Sequence, residues 1–145
     1  MTRPDRYDHR MTALSPRLQW LLFGVVVLDY VAQVPYYLVN DLQAHGNPPS
    51  VSSIVLLGLT LVWFLVGFFG YRAGRGFGFW VLLSFLFVEG VFYLVTLVTG
   101  VAALQLANPN PVNKVVFVIG YATGIISLIY FVAIIVVRSR RPAAR

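Results

Sequence analysis

Read for its alternation of apolar and polar positions, the chain resolves into four long apolar runs: Leu18–Val39, Ile54–Phe69, Phe79–Leu106 and Val112–Val137. An α-helix needs roughly 20 residues to cross the hydrocarbon core of a bilayer, within a range of about 17–25. The second run reaches that length only with Ser53 and Gly70–Tyr71 added. The third and fourth exceed it, which predicts tilt or protrusion. No stretch combines period-two alternation with hairpin signals, as a β-barrel would require. The pattern therefore predicts an all-α membrane protein, a single four-transmembrane-helix bundle spanning 1–145. Its helices are expected at about 16–40, 53–71, 78–106 and 111–138, with basic tails at 1–15 and 139–145.

Turn-forming residues agree with these boundaries. Ser15-Pro16 offers an N-cap followed by proline at the first helical position. Asn47-Pro48-Pro49-Ser50 and Asn108-Pro109-Asn110-Pro111 interrupt the chain between runs. Gly74-Arg75-Gly76-Phe77-Gly78 does the same between runs two and three. Its glycine spacing is no nucleotide-binding fingerprint and no strand precedes it, so it reads as a tight turn. The first run is too long for a signal-peptide core and lacks a small-x-small cleavage site, so it reads as a retained span.

Charge orients the bundle. Arg3, Arg6, Arg10 and Arg17 precede the first run, Arg72 and Arg75 separate the second and third, and Arg138, Arg140, Arg141 and Arg145 follow the fourth. Only Lys114 falls on the other side, so ten of eleven basic residues mark one face. Positive charge concentrates on the cytoplasmic side of membrane proteins, which predicts N-in/C-in topology. Ten arginines against one lysine is a usage that hints at a high-GC bacterial genome. The expected location is the plasma membrane, specifically a bacterial inner membrane, as a multi-pass protein.

Composition then closes other routes. Apolar residues form 59% of the chain and charged residues 11%, against about 25% charged in soluble domains. So short a chain cannot bury that much apolar surface within itself, and the surplus calls for lipid. The net charge of +6 is accounted for by topology and not by nucleic-acid binding. With no cysteines, thiolate catalysis and Cys-based metal sites are excluded. His9 and His45 fall on opposite sides of the membrane, and no metal site or cofactor is expected.

Two of the five acidic residues, Asp29 and Glu89, lie deep inside spans. A carboxylate at the centre of a bilayer costs about 2.5–3.5 kcal/mol on insertion scales and usually faces protein or water. At 1.5 Å rise per residue, Asp29 lies roughly 16 Å beyond Leu18 and Glu89 roughly 15 Å beyond Phe79. Both spans enter from the same side, so the two carboxyls are expected near one depth. Asp29, Gln33, Tyr36 and Asn40 share a helical face, as do Glu89, Tyr93, Thr96 and Gly100. If the two faces meet, they form a polar funnel open to the outer side and floored by the carboxyls, with Tyr121 and Trp63 able to complete its wall. Pro35 is expected to bend the first helix beside this stripe. The spans hold no Lys, Arg or His, so two ionised carboxylates there would have no cationic partner. Such a pair can take up a proton, a metal cation or an organic amine. Equally, each acid can serve as hydrogen-bond glue between helices.

Gly120-Tyr121-Ala122-Thr123-Gly124 matches the small-x-x-x-small packing pattern, with Ser127 extending it, and predicts close approach of another helix from this chain or from a second copy. Trp20, Tyr36, Tyr37, Tyr71 and Trp80 read as aromatic anchors at the interfaces.

Three functions are open on these residues. The first is binding or proton-linked transport of a cation or small amphipathic ligand at Asp29, Gln33, Tyr36, Glu89, Tyr93 and Tyr121. The second is a non-catalytic accessory or structural subunit. The third is a membrane isomerase or cyclase using the carboxyls as acid and base. No motif names a reaction, and a non-enzymatic role is preferred. Expected partners are the lipid bilayer and either a second copy or another membrane protein. Val34-Pro35…Asp41-Leu42-Gln43 and Ser84-Phe85-Leu86-Phe87…Glu89 resemble short stretches of the four-helix sterol-isomerase and sigma-2-receptor-like proteins. In that family the second stretch falls on the second helix, whereas here it falls on the third, so the similarity is taken as chance.

Overall fold

The computed structural model describes residues 14–45, 51–107 and 110–139, the side chains of 37–45, 52 and 53 excepted. Asn40, Asp41 and His45 as side chains, His9, and the arginines Arg3, Arg6, Arg10, Arg140, Arg141 and Arg145 lie outside this description. The described residues form five helices joined by short turns, and no strand is found among them: α1 (Pro16–His45), α2 (Val51–Arg72), α3 (Gly76–Val98), α4 (Val101–Leu106) and α5 (Pro111–Ser139). Four of these helices are long and apolar enough to cross a membrane. Between 22% and 39% of their apolar windows is covered by the rest of the chain. Most of that surface therefore faces outward, which suits a lipid bilayer and a multi-pass membrane protein.

The third apolar run departs from its expected single helix over 78–106. The α3 helix ends at Val98, where the Thr99 hydroxyl donates back to the Val95 carbonyl at 2.8 Å. Gly100 then adopts φ 78°, a left-handed conformation that stops a helix and that glycine reaches without a Cβ penalty. The remainder of the run forms α4, which packs on α3 and α5. The excess length of the run is thus used in a fold-back and not in a longer, more tilted span.

Among these helices α3 is central. It packs closely on α2 and α5, the α1 backbone lies mainly along α5, and α1 meets α2 through side chains, chiefly Trp20 and Phe23 against Phe64, Phe68 and Phe69. The α2–α3 hairpin closes through the turn Arg75 N–H to Gly70 carbonyl at 3.0 Å. Its backbones meet at Gly70 and Gly78, where a Cβ on Gly70 would stand 2.8 Å from the Gly78 Cα. Only glycine permits that approach.

One end of the bundle is sealed. Phe64, Phe68, Tyr71, Phe79, Leu82, Phe85, Leu86, Leu22 and Ile134 are buried there as one cluster. Leu14 lies over it, its N–H donating to the Tyr71 hydroxyl at 3.1 Å and its carbonyl accepting from Gln19 Nε2 at 2.8 Å. Tyr130 donates to the Leu18 carbonyl at 2.9 Å, tying α5 to the start of α1. Tyr71 is therefore a core residue at 1% exposure and not the interfacial anchor that its position implied. Trp20 and Trp80 do stay exposed at this end. The Arg72 guanidinium lies 4.3 Å from the Trp20 ring and that of Arg138 lies 4.1 Å from the Phe79 ring. The basic residues Arg17, Arg72, Arg75 and Arg138 share this sealed end, and Lys114 begins α5 at the other.

Candidate functional site

The polar seam occupies the half of the bundle away from the arginines. Asp29 sits on the buried face of α1 with no exposed surface. Its Oδ2 accepts a hydrogen bond from Gln33 Nε2 at 2.9 Å, one helical turn along. The Tyr93 hydroxyl on α3 also lies within interaction range of this carboxyl. The Oδ1 of Asp29 is buried without a hydrogen-bond partner among the described residues. An orphaned buried acceptor costs about 1–3 kcal/mol in desolvation, so its retention calls for an explanation beyond packing.

Glu89 on α3 has a different setting. It is half-buried and makes no side-chain hydrogen bond among the described residues. It lies within electrostatic range of Asp29, although no hydrogen bond joins the two carboxyls. It lines a half-open chamber of about 290 Å³ together with Tyr30, Gln33, Leu56, Leu57, Thr60, Val88, Phe92 and Tyr93, of which Leu56, Val88 and Phe92 are also exposed on the surface of the bundle. Tyr30, next to Asp29 in the chain, is buried and interacts through its hydroxyl with Thr60 of α2. That pairing joins α1 to α2 at the chamber, beyond the aromatic contacts that join them toward the sealed end.

A second space of about 160 Å³ adjoins the first, bounded by Gln33, Tyr36, Phe92, Tyr93, Thr96, Gln105, Val116 and Phe117. The two spaces share Gln33, Phe92 and Tyr93, which form the partition between them. Tyr36 packs its ring edge-on against Phe117 at 5.3 Å. Tyr121 meets Tyr93 edge-on at 5.5 Å and donates to Gln105 Oε1 of α4 at 2.6 Å.

The position of Tyr93 is set from α5. Its ring lies over Gly120 and Gly124, where Cβ atoms would stand 2.5 Å from the Tyr93 hydroxyl and 2.5 Å from the Tyr93 Cβ. The small-x-x-x-small stripe thus receives α3 of the same chain. Gly90 completes the approach against Leu128 and Gly124 of α5.

Gln33, Tyr36, Glu89 and Tyr93 accordingly line one pair of adjoining spaces, while Asp29 and Tyr121 line neither and reach them only through Gln33 and Tyr93. Trp63 does not join them; its Nε1 donates to Ser84 Oγ at 3.3 Å on the opposite side of α3. Gly100 leaves the polar stripe to form the turn after α3. Sequence reading passed over Tyr30, Thr60, Phe92 and Gln105. Thr60 is the one hydroxyl in the Ile54–Phe69 run and Gln105 the one amide in Phe79–Leu106, so each carried a signal of the kind that singled out Asp29. Tyr30 and Phe92 carried none, since an aromatic residue in an apolar run is ordinary. Groups of three or more His, Cys, Asp or Glu that could hold a metal are absent among the described residues.

Compared with protein-family models, curated proteins and solved structures, the chain has no match in any of the three.

Proposed function

We propose that this chain is a multi-pass inner-membrane protein, both termini cytoplasmic, that binds a cation or small amphipathic ligand at Glu89 in a proton-linked manner. The observation that carries the reading is the contrast between its two intramembrane acids. Asp29 is enclosed and held by Gln33, whereas Glu89 lines a half-open chamber with no side-chain hydrogen bond of its own among the described residues. A carboxyl in that setting exchanges one positive charge for another at little structural cost: a proton when the chamber is empty, a ligand cation when it is filled. Asp29, behind it, adds negative potential without occupying the chamber. The partition of Gln33, Phe92 and Tyr93 separates the chamber from the outer space and offers a gate for stepwise passage.

Proteoliposomes enclosing a pH-sensitive dye test this directly. Addition of a cation panel (sodium, potassium, magnesium, manganese and small organic ammonium ions) is expected to drive proton movement with at least one member. Glu89→Gln is expected to abolish it while leaving the helical fold intact. Proton movement unchanged in Glu89→Gln, or absent with every cation, would refute the reading.

A further inference from the structure

Resting on the reading of Glu89 as a cation site, we infer that the chamber takes a small lipophilic amine. Its ammonium pairs with Glu89, and it enters sideways from the bilayer between α1 and α2.

The ligand class follows from what surrounds the carboxyl. A hard metal cation recruits six or more oxygen ligands and leaves little room for apolar wall. Here a single carboxyl faces a chamber walled largely by Leu56, Leu57, Val88 and Phe92. No third acid or histidine is placed to complete a metal shell among the described residues. A bare inorganic ion would leave these apolar side chains without a partner inside the pocket. An organic amine satisfies both halves at once, one positive charge for Glu89 and an apolar body for the remaining wall. The rings of Tyr30, Phe92 and Tyr93 on the same wall add faces that favour a cation. The orphaned Oδ1 of Asp29, buried nearby, supplies further negative potential at the same depth. A volume of about 290 Å³ lies just below the range for ligand pockets, about 300–1,000 Å³, so the amine is small.

The route follows from packing. The α3 helix is clasped by α2 and α5, whereas the backbones of α1 and α2 come close at few positions, and the rings that join them, Trp20 and Phe23 with Phe64, Phe68 and Phe69, lie toward the sealed end and away from the pocket. Leu56 lines the chamber and is also 61% exposed on the outer surface of the bundle, so one side chain spans from the interior to the lipid. Toward the outer aqueous side, by contrast, Gln33 and Tyr93 stand between the chamber and the adjoining space.

The full-length protein in phosphatidylcholine nanodiscs tests both halves with 2-phenylethylamine and its uncharged counterpart 2-phenylethanol, read by calorimetry. The amine is expected to bind at least about tenfold more tightly than the alcohol, as loss of one buried charge-assisted contact implies. Glu89→Gln is expected to bring it down to the alcohol's affinity. Equal binding of the two probes, or amine binding unaffected by Glu89→Gln, overturns the ligand class. Glu89-dependent proton movement driven only by sodium or manganese likewise overturns it while leaving the broader function standing. For the route, Leu56→Trp is expected to slow amine association, and Thr96→Trp in the outer space to leave it unchanged. The reverse pattern overturns lateral entry. Leu56→Phe and Thr96→Phe serve in place of any tryptophan variant that does not retain helical circular dichroism and monodisperse elution.

Discussion

The hydroxyl of Tyr93 stands where a side chain on Gly120 would begin: a Cβ there would lie 2.5 Å from it. One glycine on α5 thereby sets the position of a tyrosine on α3 that borders both internal spaces. Gly120→Ala is expected to push Tyr93 toward the chamber, at the cost of about 1–3 kcal/mol typical of overpacking. Gly58→Ala is the matched control, because a Cβ at Gly58 meets nothing within 4 Å. Thermal unfolding in detergent should show a lowered midpoint for the first and no loss for the second. Equal midpoints would mean that Tyr93 can move aside freely.

The Asp29–Gln33 bond gives a second expectation. Asp29→Asn keeps an acceptor oxygen for Gln33 Nε2 and removes the need to bury a charge, so stability is expected to be kept or raised. Asp29→Leu strands the Gln33 amide and should cost about 1–3 kcal/mol. A double-mutant cycle with Gln33→Leu should recover much of that loss, since replacing both partners by apolar groups removes the unsatisfied donor. Additive losses would argue that the bond contributes nothing.

How far these features could be read in advance depended on the physical range of each signal. The four long helices follow from apolar run length alone, because the hydrocarbon core imposes a minimum span. Asp29 and Glu89 stood out because charge is rare in such runs, and the periodicity of 3.6 placed Gln33 and Tyr93 on their faces. Helix periodicity fixes a face but not its neighbour. That left open whether Gly120 and Gly124 receive this chain or another, which only the packing of Tyr93 answers. It also placed Tyr71 at an interface when its ring is buried under Leu14. The break at Gly100 was hidden for a different reason: glycine is common inside transmembrane helices, and only its positive φ distinguishes a terminator from a packing residue. Tyr30 and Thr60 meet across two helices and therefore leave no spacing pattern in either.

That break makes a third expectation specific to α4. The short helix Val101–Leu106 is tied to α5 by the Tyr121 hydroxyl donating to Gln105 Oε1 at 2.6 Å. A six-residue helix has too few internal hydrogen bonds to persist by itself. Tyr121→Phe should cost about 0.5–1.5 kcal/mol and raise amide hydrogen exchange selectively over 101–106. Exchange rising equally along α3 and α5 would point to a global effect instead and sink the assignment of this bond as the local tether.

Topology can be tested with little perturbation, because the chain has no cysteine and any introduced thiol is unique. Arg75 and Lys114 are both exposed and lie at opposite ends of the bundle. The clustering of Arg17, Arg72, Arg75 and Arg138 at the sealed end leads the positive-inside rule to predict a cytoplasmic position for that end. In intact cells, a membrane-impermeant maleimide is therefore expected to label Lys114→Cys and to label Arg75→Cys only after permeabilisation. Since Lys114→Cys also removes the single opposing positive charge, it should strengthen the orientation bias and not invert it. Labelling of Arg75→Cys in intact cells would turn the bundle over. The space lined by Tyr36, Thr96 and Gln105 would then face the cytoplasm, and any ligand passing the Gln33–Tyr93 partition would have to be drawn from inside the cell.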